Sequence, residues 1–271
     1  MLWHRGVVAW LSRLGPNGKR RGGAPEVEIA HGDTILATGG EELWSWCSPA
    51  GRERLARRVA LFRRAVGDRQ RPPRVLELGC GTGLYTEQMA PWCGELVSVD
   101  ISDALLERAR ERVRQPTVRF VRQNLEAIDP DRIGSGFQAV FGCSVLHHLD
   151  LEQTLPQLKR LVVPGAELVF SEPNLINPQV RLMFSRFAWA RRKFAVSDTE
   201  MAFYPWELRG LFLRHGFEVL ELFPFDFMHP AIPAGLVPLA RHADRLLERV
   251  PGGRWLAGSC FVRARLPLMP S

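Results

Sequence analysis

The chain has 271 residues, 46% of them hydrophobic, which is material for one large domain or for one domain with an appendage. A formal net charge of +7 and a pI near 9.7 would suit nucleic acid or an anionic surface, but only three of the 36 basic residues are lysine and no helix-turn-helix, zinc-finger or aromatic RNA-binding signature accompanies them, so no specific nucleic-acid partner is expected. No apolar run approaches the roughly 20 residues that cross a bilayer, and five scattered cysteines without a C-x-x-C pair imply reduced thiols in a cytosol.

In chain order, the first 23 residues place Trp3, Val7, Trp10, Leu11 and Leu14 at helical spacing among Arg5, Arg13, Lys19, Arg20 and Arg21, then break at Gly15-Pro16. Such a basic amphipathic helix either lies on a membrane surface or packs on its own domain. Arg13 interrupts the apolar stretch, which makes it a poor signal peptide. Ser48-Pro49 supplies a cap and a first-turn proline for a helix to about Val66, with Leu55, Val59 and Phe62 as its buried stripe. Just before it, Trp44 or Trp46 either lines a ligand cavity or packs in the core.

From Arg74 the pattern alternates strand and helix: strand to Leu78, helix Leu84 to Met89, strand Leu96 to Asp100, helix Ser102 to Val113, strand Val118 to Val121, strand Phe137 to Phe141, helix Leu151 to Val162, strand Glu167 to Ser171. Alternation of this kind builds a parallel sheet with helices on both faces. Two stretches exceed what the sheet needs. Residues 174–204 begin with Asn177-Pro178 and read as a helix with Val180, Met183, Phe184, Phe187 and Phe194 on one face. Residues 223–255 are rich in Phe, Pro and His before a helix around Leu239 to Val250. Both leave the sheet on the side where ligands collect and read as an acceptor pocket and its lid. The chain therefore divides into a helical amino-terminal cap, 1–70, and a cofactor-binding domain, 71–271, carrying these insertions.

The chemistry concentrates at V-L-E-L-G-C-G-T-G, Val75 to Gly83, a buried strand running into a glycine turn. A dinucleotide fingerprint needs glycine at the first, third and sixth positions. Here Gly79, Gly81 and Gly83 fill the first, third and fifth, and Leu84 stands at the sixth, which argues against NAD. Asp100, at the end of the next strand, is placed to meet the hydroxyls of a ribose. Glu77, inside the first strand, needs a donor or a cation to offset its burial, and a cationic amino-acid group would serve.

Glycine turn, internal acid and distal acid together resemble the class I S-adenosylmethionine-dependent methyltransferases, in their small-molecule, type-11-like branch, whose first motif is (V/I)LE(L/I)GCGTG. The resemblance continues through Asn124-Leu125, F-G-C-S-V-L-H-H-L from Phe141 to Leu149, and V-P-G-A from Val163. It implies a Rossmann-like, seven-stranded, mostly parallel α/β sheet with helices on both faces, to which Phe217 to Leu222 and an antiparallel Gly258 to Arg265 would add the last two strands. It also implies S-adenosylmethionine as cofactor and S-adenosylhomocysteine as product. Residue by residue, it assigns Gly79, Cys80 and Gly81 backbone to the methionine part, with Glu77 and Gly83 completing the motif. Asp100 falls to the ribose, Ile101 to an adenine face, Asn124 and Leu125 to the adenine edge, and Cys143-Ser144 backbone to the amino-acid portion. Two departures stand out: the family usually has Asp where this chain has Asn124, and Pro-Gly-Gly where it has Pro164-Gly165-Ala166.

Methyl transfer is an in-line displacement that needs few protein groups beyond those holding the reactants. A hydroxyl acceptor must lose a proton, for which histidine is suited at neutral pH. His148 and His147, just past the fourth strand, are candidates, as is Glu172 at the end of the fifth, with Asn174 and His229 further off; a structural role for the H-H-L motif is the alternative. As neighbours in sequence, the two histidines should point apart, so no metal site is expected. The fourth-strand motif lacks the N/D-P-P-Y/F of enzymes that methylate base or glutamine amines. The aromatic insertions favour a lipophilic acceptor, such as a natural product, quinone-like compound or lipid, with Arg181 to Lys193 able to tolerate an anionic one. The rival reading is a non-catalytic scaffold that keeps the cofactor pocket.

Overall fold

The computed structural model describes residues 25–37, 39–42, 45–67, 71–185, 187–193, 196–197 and 200–268. The basic amphipathic stretch at 3–14, Trp44 and Phe194 lie outside them.

Seven strands form one sheet in the order β3-β2-β1-β4-β5-β7-β6. They are β1 (Arg74–Leu78), β2 (Glu95–Asp100), β3 (Val118–Arg122), β4 (Phe137–Cys143), β5 (Val162–Pro173), β6 (Glu218–Phe225) and β7 (Ser259–Arg265). The first five run parallel, and β7 pairs antiparallel with both β5 and β6. Crossovers join β1 to β2, β2 to β3 and β4 to β5, and the helices cover both faces, which is why β1 and β4 read as nearly continuous apolar runs. The chain reverses its lateral progress between β3 and β4, so the carboxyl ends of β1 and β4 flank the crevice where ligands of such sheets bind.

Ten helices surround the sheet among the described residues: α1 (Pro25–Ala37), α2 (Pro49–Val66), α3 (Leu84–Met89), α4 (Asp103–Arg112), α5 (Pro130–Ile133), α6 (Leu151–Leu161), α7 (Pro178–Met183), α8 (Ala188–Lys193), α9 (Pro205–Arg214) and α10 (Val237–Arg249). Helix α2 starts as its sequence predicts, with the Ser48 hydroxyl accepting the Gly51 N–H at 2.9 Å and Pro49 in the first turn. Its buried face differs from expectation. Phe62, Ala65 and Val66 are buried, Leu55 and Val59 are half-buried, and a full turn of the interior is given to Arg58, which is 2% exposed. That charge is met by Asp226 at 2.7 Å and by the Ser259 hydroxyl, and it lies over the rings of Trp46 and Phe225. Helix α6 follows the simpler rule: Asp150 caps it, and Leu151, Leu155, Leu158 and Leu161 fall into the main core.

The first insertion is not one helix. Asn177 caps α7 through the Val180 N–H, the helix ends at Met183, and α8 follows after a break. The apolar face splits because Val180 and Phe184 turn inward to Leu175 and Ala202, while Phe187 and Trp189 stack on each other and stand 60% and 54% exposed. No helix of the described residues is long and apolar enough to cross a membrane.

Candidate active site

Strand β1 ends at Leu78 and the chain turns through Gly79, Gly81 and Gly83, all in the left-handed region at φ +63°, +53° and +80°. Two of them also answer to close neighbours: a Cβ on Gly79 would lie 2.6 Å from a Val145 methyl, and one on Gly83 3.1 Å from the backbone of Ala109 in α4. Gly81 is different. Among the described residues nothing lies within 4 Å of where its Cβ would be, so its face opens onto free space at the carboxyl end of the sheet. The Cys80 N–H donates to the Val99 carbonyl and ties the turn to β2.

Asp100 is 8% exposed and accepts the Gly81 N–H at 2.8 Å on one oxygen and the Ser102 N–H at 3.0 Å on the other. Burial pushes its carboxyl up from the ordinary aspartate value, against these backbone donors. The carboxylate thus clamps the glycine turn to the start of α4 and keeps lone pairs for a diol. Glu77 is held within the protein through one oxygen: the Thr86 and Ser98 hydroxyls both donate to its Oε2 at 2.6 Å, and burial raises its pKa to about 7. Asn124 spends its carbonyl oxygen on the Glu126 N–H, Leu125 is buried, and Ile101 is half-buried. Ser144, after Cys143 at the end of β4, is one of three non-glycine residues with positive φ (+54°) among the described residues. The open cradle at Gly81, the Asp100 clamp and this strained turn face the same crevice, and the residues present fit a nucleoside with an amino-acid arm.

Past β4 the 3₁₀ turn at 146–148 folds His147 and His148 toward one another, their ring centroids 4.2 Å apart. The expectation that adjacent histidines point apart holds for regular structure, not for this tight turn. His147 is buried with Nδ1 2.8 Å from Glu172 and Nε2 3.7 Å from Glu200. Burial lowers its pKa, but the two carboxylates outweigh that and lift it to about 9, while Glu200 is brought down to about 2. At neutral pH the ring is an imidazolium between two acids, so it holds a proton and has none to take up. Glu172, 1% exposed, accepts the Val145 and Leu146 N–H groups on its other oxygen and so shapes the turn. Ring or carboxylate atoms of His147, His148 and Glu200 lie within 4.8 Å of one another, a spacing a metal ion could use, although the His147 proton already supplies the cationic charge there.

The His148 side chain is 20% exposed, and its Nδ1 lies 2.8 Å from Glu28 of α1. With the proton on Nδ1, Nε2 is left as an acceptor. His31, also on α1, approaches Glu200 at 3.6 Å. Sequence reasoning missed Glu28, His31 and Glu200, none of which stands in a motif. Two further candidates are placed elsewhere. Asn174 is wholly buried and spent, donating to the Trp255 and Ala257 carbonyls and accepting the Ile176 N–H. His229 bonds to Gln179 and to the Ala231 N–H. Trp46 packs edge-on against Tyr85 at the start of α3.

The profile of a family described as a methyltransferase domain matches residues 75–165. Nodulation protein S of Rhizobium tropici is 28% identical over 109 residues, 38% of this chain and 44% of that one. An uncharacterized methyltransferase of Mycobacterium bovis, Mb0092, is 33% identical over 107 residues, 38% of this chain and 53% of that one. The matched region thus spans about half the length of these curated relatives. The N-methyltransferase NodS of Bradyrhizobium japonicum WM9, solved with S-adenosyl-L-homocysteine, superimposes with a TM-score of 0.58 at 19% identity, covering 89% of this chain and 98% of that one. Over residues 75–165 the chain matches a methyltransferase domain, consistent with the resemblance to the class I S-adenosylmethionine-dependent family.

Proposed function

We propose that the chain moves the methyl group of S-adenosylmethionine to a hydroxyl, with carbon as second choice, of a lipophilic small molecule. The observation that carries this reading is the open face of Gly81 beside the Asp100 clamp, with a partly exposed His148 just past the end of β4. In this reading the backbone at Gly79, Cys80, Gly81, Cys143 and Ser144 holds the amino-acid arm, with Glu77 and Gly83 fixing the shape of the turn; Asp100 holds the ribose, and Ile101, Asn124 and Leu125 the adenine. The cofactor supplies a methyl group on a positively charged sulfur, a good leaving group, so the protein need only align the acceptor and receive its proton. His148 receives that proton on Nε2, and Glu28 at Nδ1 steadies the ring and the charge it gains. His147 and Glu172 take positioning roles: both are buried, and their polar atoms are spent on one another, on Glu200 and on the turn.

The lipophilic acceptor is supported by the first insertion, where Leu175, Val180, Phe184 and Ala202 cluster and Phe184 meets the His147 ring edge-on. Residues 1–70 then act as the cap, through Glu28 and through Glu41, which receives the Thr82 hydroxyl and Arg112. An anionic acceptor would meet the exposed Arg181.

Calorimetric titration with S-adenosylmethionine, S-adenosylhomocysteine and NAD is the direct test. Heat from both sulfur nucleotides and none from NAD is expected, and Asp100→Ala should weaken binding roughly tenfold, the scale of one lost charged hydrogen bond. Absence of binding would move the scaffold reading to the front. Transfer is then read as tritium passing from methyl-labelled cofactor into organic-extractable phenols, quinols and lipids. His148→Ala should lower it while leaving cofactor affinity intact.

A further inference from the structure

Helix α10 is mounted with its leucines outward. It holds to the body through a small apolar contact of Val237 and Ala240 with Ala50 and Met228 and, along the rest of its length, through charges: Arg57 of α2 pairs with Asp244 and Glu248, Arg241 pairs with Glu53, and the Phe227 and Asp226 N–H groups donate to Asp244 and Glu248. Only Val237 and Asp244 of the helix are buried. Leu239, Leu246, Leu247 and Val250, spaced along one face, stand 68%, 64%, 43% and 47% exposed. Trp255 and Leu256, in the turn that follows, extend this face at 43% and 50% exposure. A contiguous apolar face of this kind on a soluble surface marks a contact waiting to be made.

The charges around the face choose among occupants. Both carboxylates of α10 are turned inward and paired, so the side chains left exposed beside the leucines are His242, Arg245 and Arg249. Two copies of the chain joined through this face would bring those arginines together with no helix carboxylate free to pair them. An anionic surface meets them without that cost. Leucines on one side, arginines along the flank and an exposed indole at the end are what a helix lying in a lipid headgroup layer presents.

We infer that the outer face of α10, with the turn carrying Trp255 and Leu256, docks the chain in the plane of an anionic lipid bilayer. The inference goes beyond the proposed reaction and stands independently of it. Its position gives it a use, because Asn174, two residues past Glu172, donates to the Trp255 carbonyl. The docked face is thereby tied to the strand end that borders the crevice, and a lipophilic acceptor would reach the crevice from the membrane side.

Flotation of the full chain with vesicles tests this, using phosphatidylcholine alone and phosphatidylcholine mixed with phosphatidylglycerol. The chain is expected to float with the anionic vesicles and to be released by high salt. Leu239→Ser with Leu246→Ser should cut partitioning roughly tenfold or more, the scale for two leucines withdrawn from an interface. Arg245→Gln with Arg249→Gln should weaken binding to anionic vesicles and leave the neutral ones unaffected. Circular dichroism and the cofactor titration, run without lipid, verify that each variant is folded and keep failure here separate from failure of the cofactor reading. The inference is overturned by absence of flotation, by leucine variants that float like the wild type (which would give the binding to another segment, such as residues 1–24), or by light scattering that shows a dimer dissociated by the leucine substitutions.

Discussion

Helices α6 and α10 have the same plan, leucines on one side and charge on the other, and opposite mountings. In α6 the leucines enter the core and Lys159 and Arg160 face water. In α10 the carboxylates enter the joint and the leucines face out. An amphipathic pattern therefore tells that a helix has two faces without telling which is inside. The partner decides: α6 lies against apolar β-strands, whereas α10 lies against an α2 surface bearing Glu53 and Arg57, which its charged side meets.

Behind the α2–α10 joint lies a buried ion cluster. Asp226 accepts both Arg54 and Arg58, and its backbone N–H reaches Glu248 of α10. Asp226→Asn would leave Arg58 buried without its counter-charge, and a loss of about 3 to 5 kcal/mol is expected in denaturant unfolding. Unchanged stability would show that Arg58 does not depend on Asp226 for its counter-charge. On the other side, Leu155→Ala in α6 should cost about 2 to 5 kcal/mol, being fully buried. The matching change in α10, Leu246→Ala, should move stability by no more than about 0.5 kcal/mol in the absence of lipid.

Between these lie the effects of pH. Burial raises the Asp226 carboxyl, but Arg58 and Arg54 prevail and hold it below the ordinary aspartate value. Its contribution is then complete above an unfolded pKa of about 3.9 and drains as pH falls below that. Asp226→Asn should lose this acid limb. His147 has the opposite sign: lifted to about 9, it stabilises fully below its unfolded value of about 6.5 and loses that contribution as pH rises toward 9. Thermal unfolding of His147→Gln should be flatter over that window than the wild type, and an equal slope would remove the imidazolium from between Glu172 and Glu200.

The strands, their order along the chain and the glycine turn were legible because their causes are local: φ beyond +50° at Gly79, Gly81 and Gly83, apolar runs of strand length, and a cap at Ser48. The surroundings of the histidines were not, because Glu28, Glu172 and Glu200 reach them from far along the chain and from three separate elements. Nor was the break between α7 and α8, where one apolar pattern serves two directions. The burial of Arg58 was hidden for a related reason, since its partner Asp226 stands 168 residues away by numbering.

Glu41 deserves a last consequence. The same oxygen receives the hydroxyl of Thr82, inside the glycine turn, and the guanidinium of Arg112, which also donates to the Thr82 carbonyl at 3.0 Å. Glu41 thus ties the residues ahead of α2 to both the glycine turn and α4. Any displacement of Glu41 gives up its bonds to Thr82 and Arg112 together, so the turn and the helix behind it lose a shared anchor in one step.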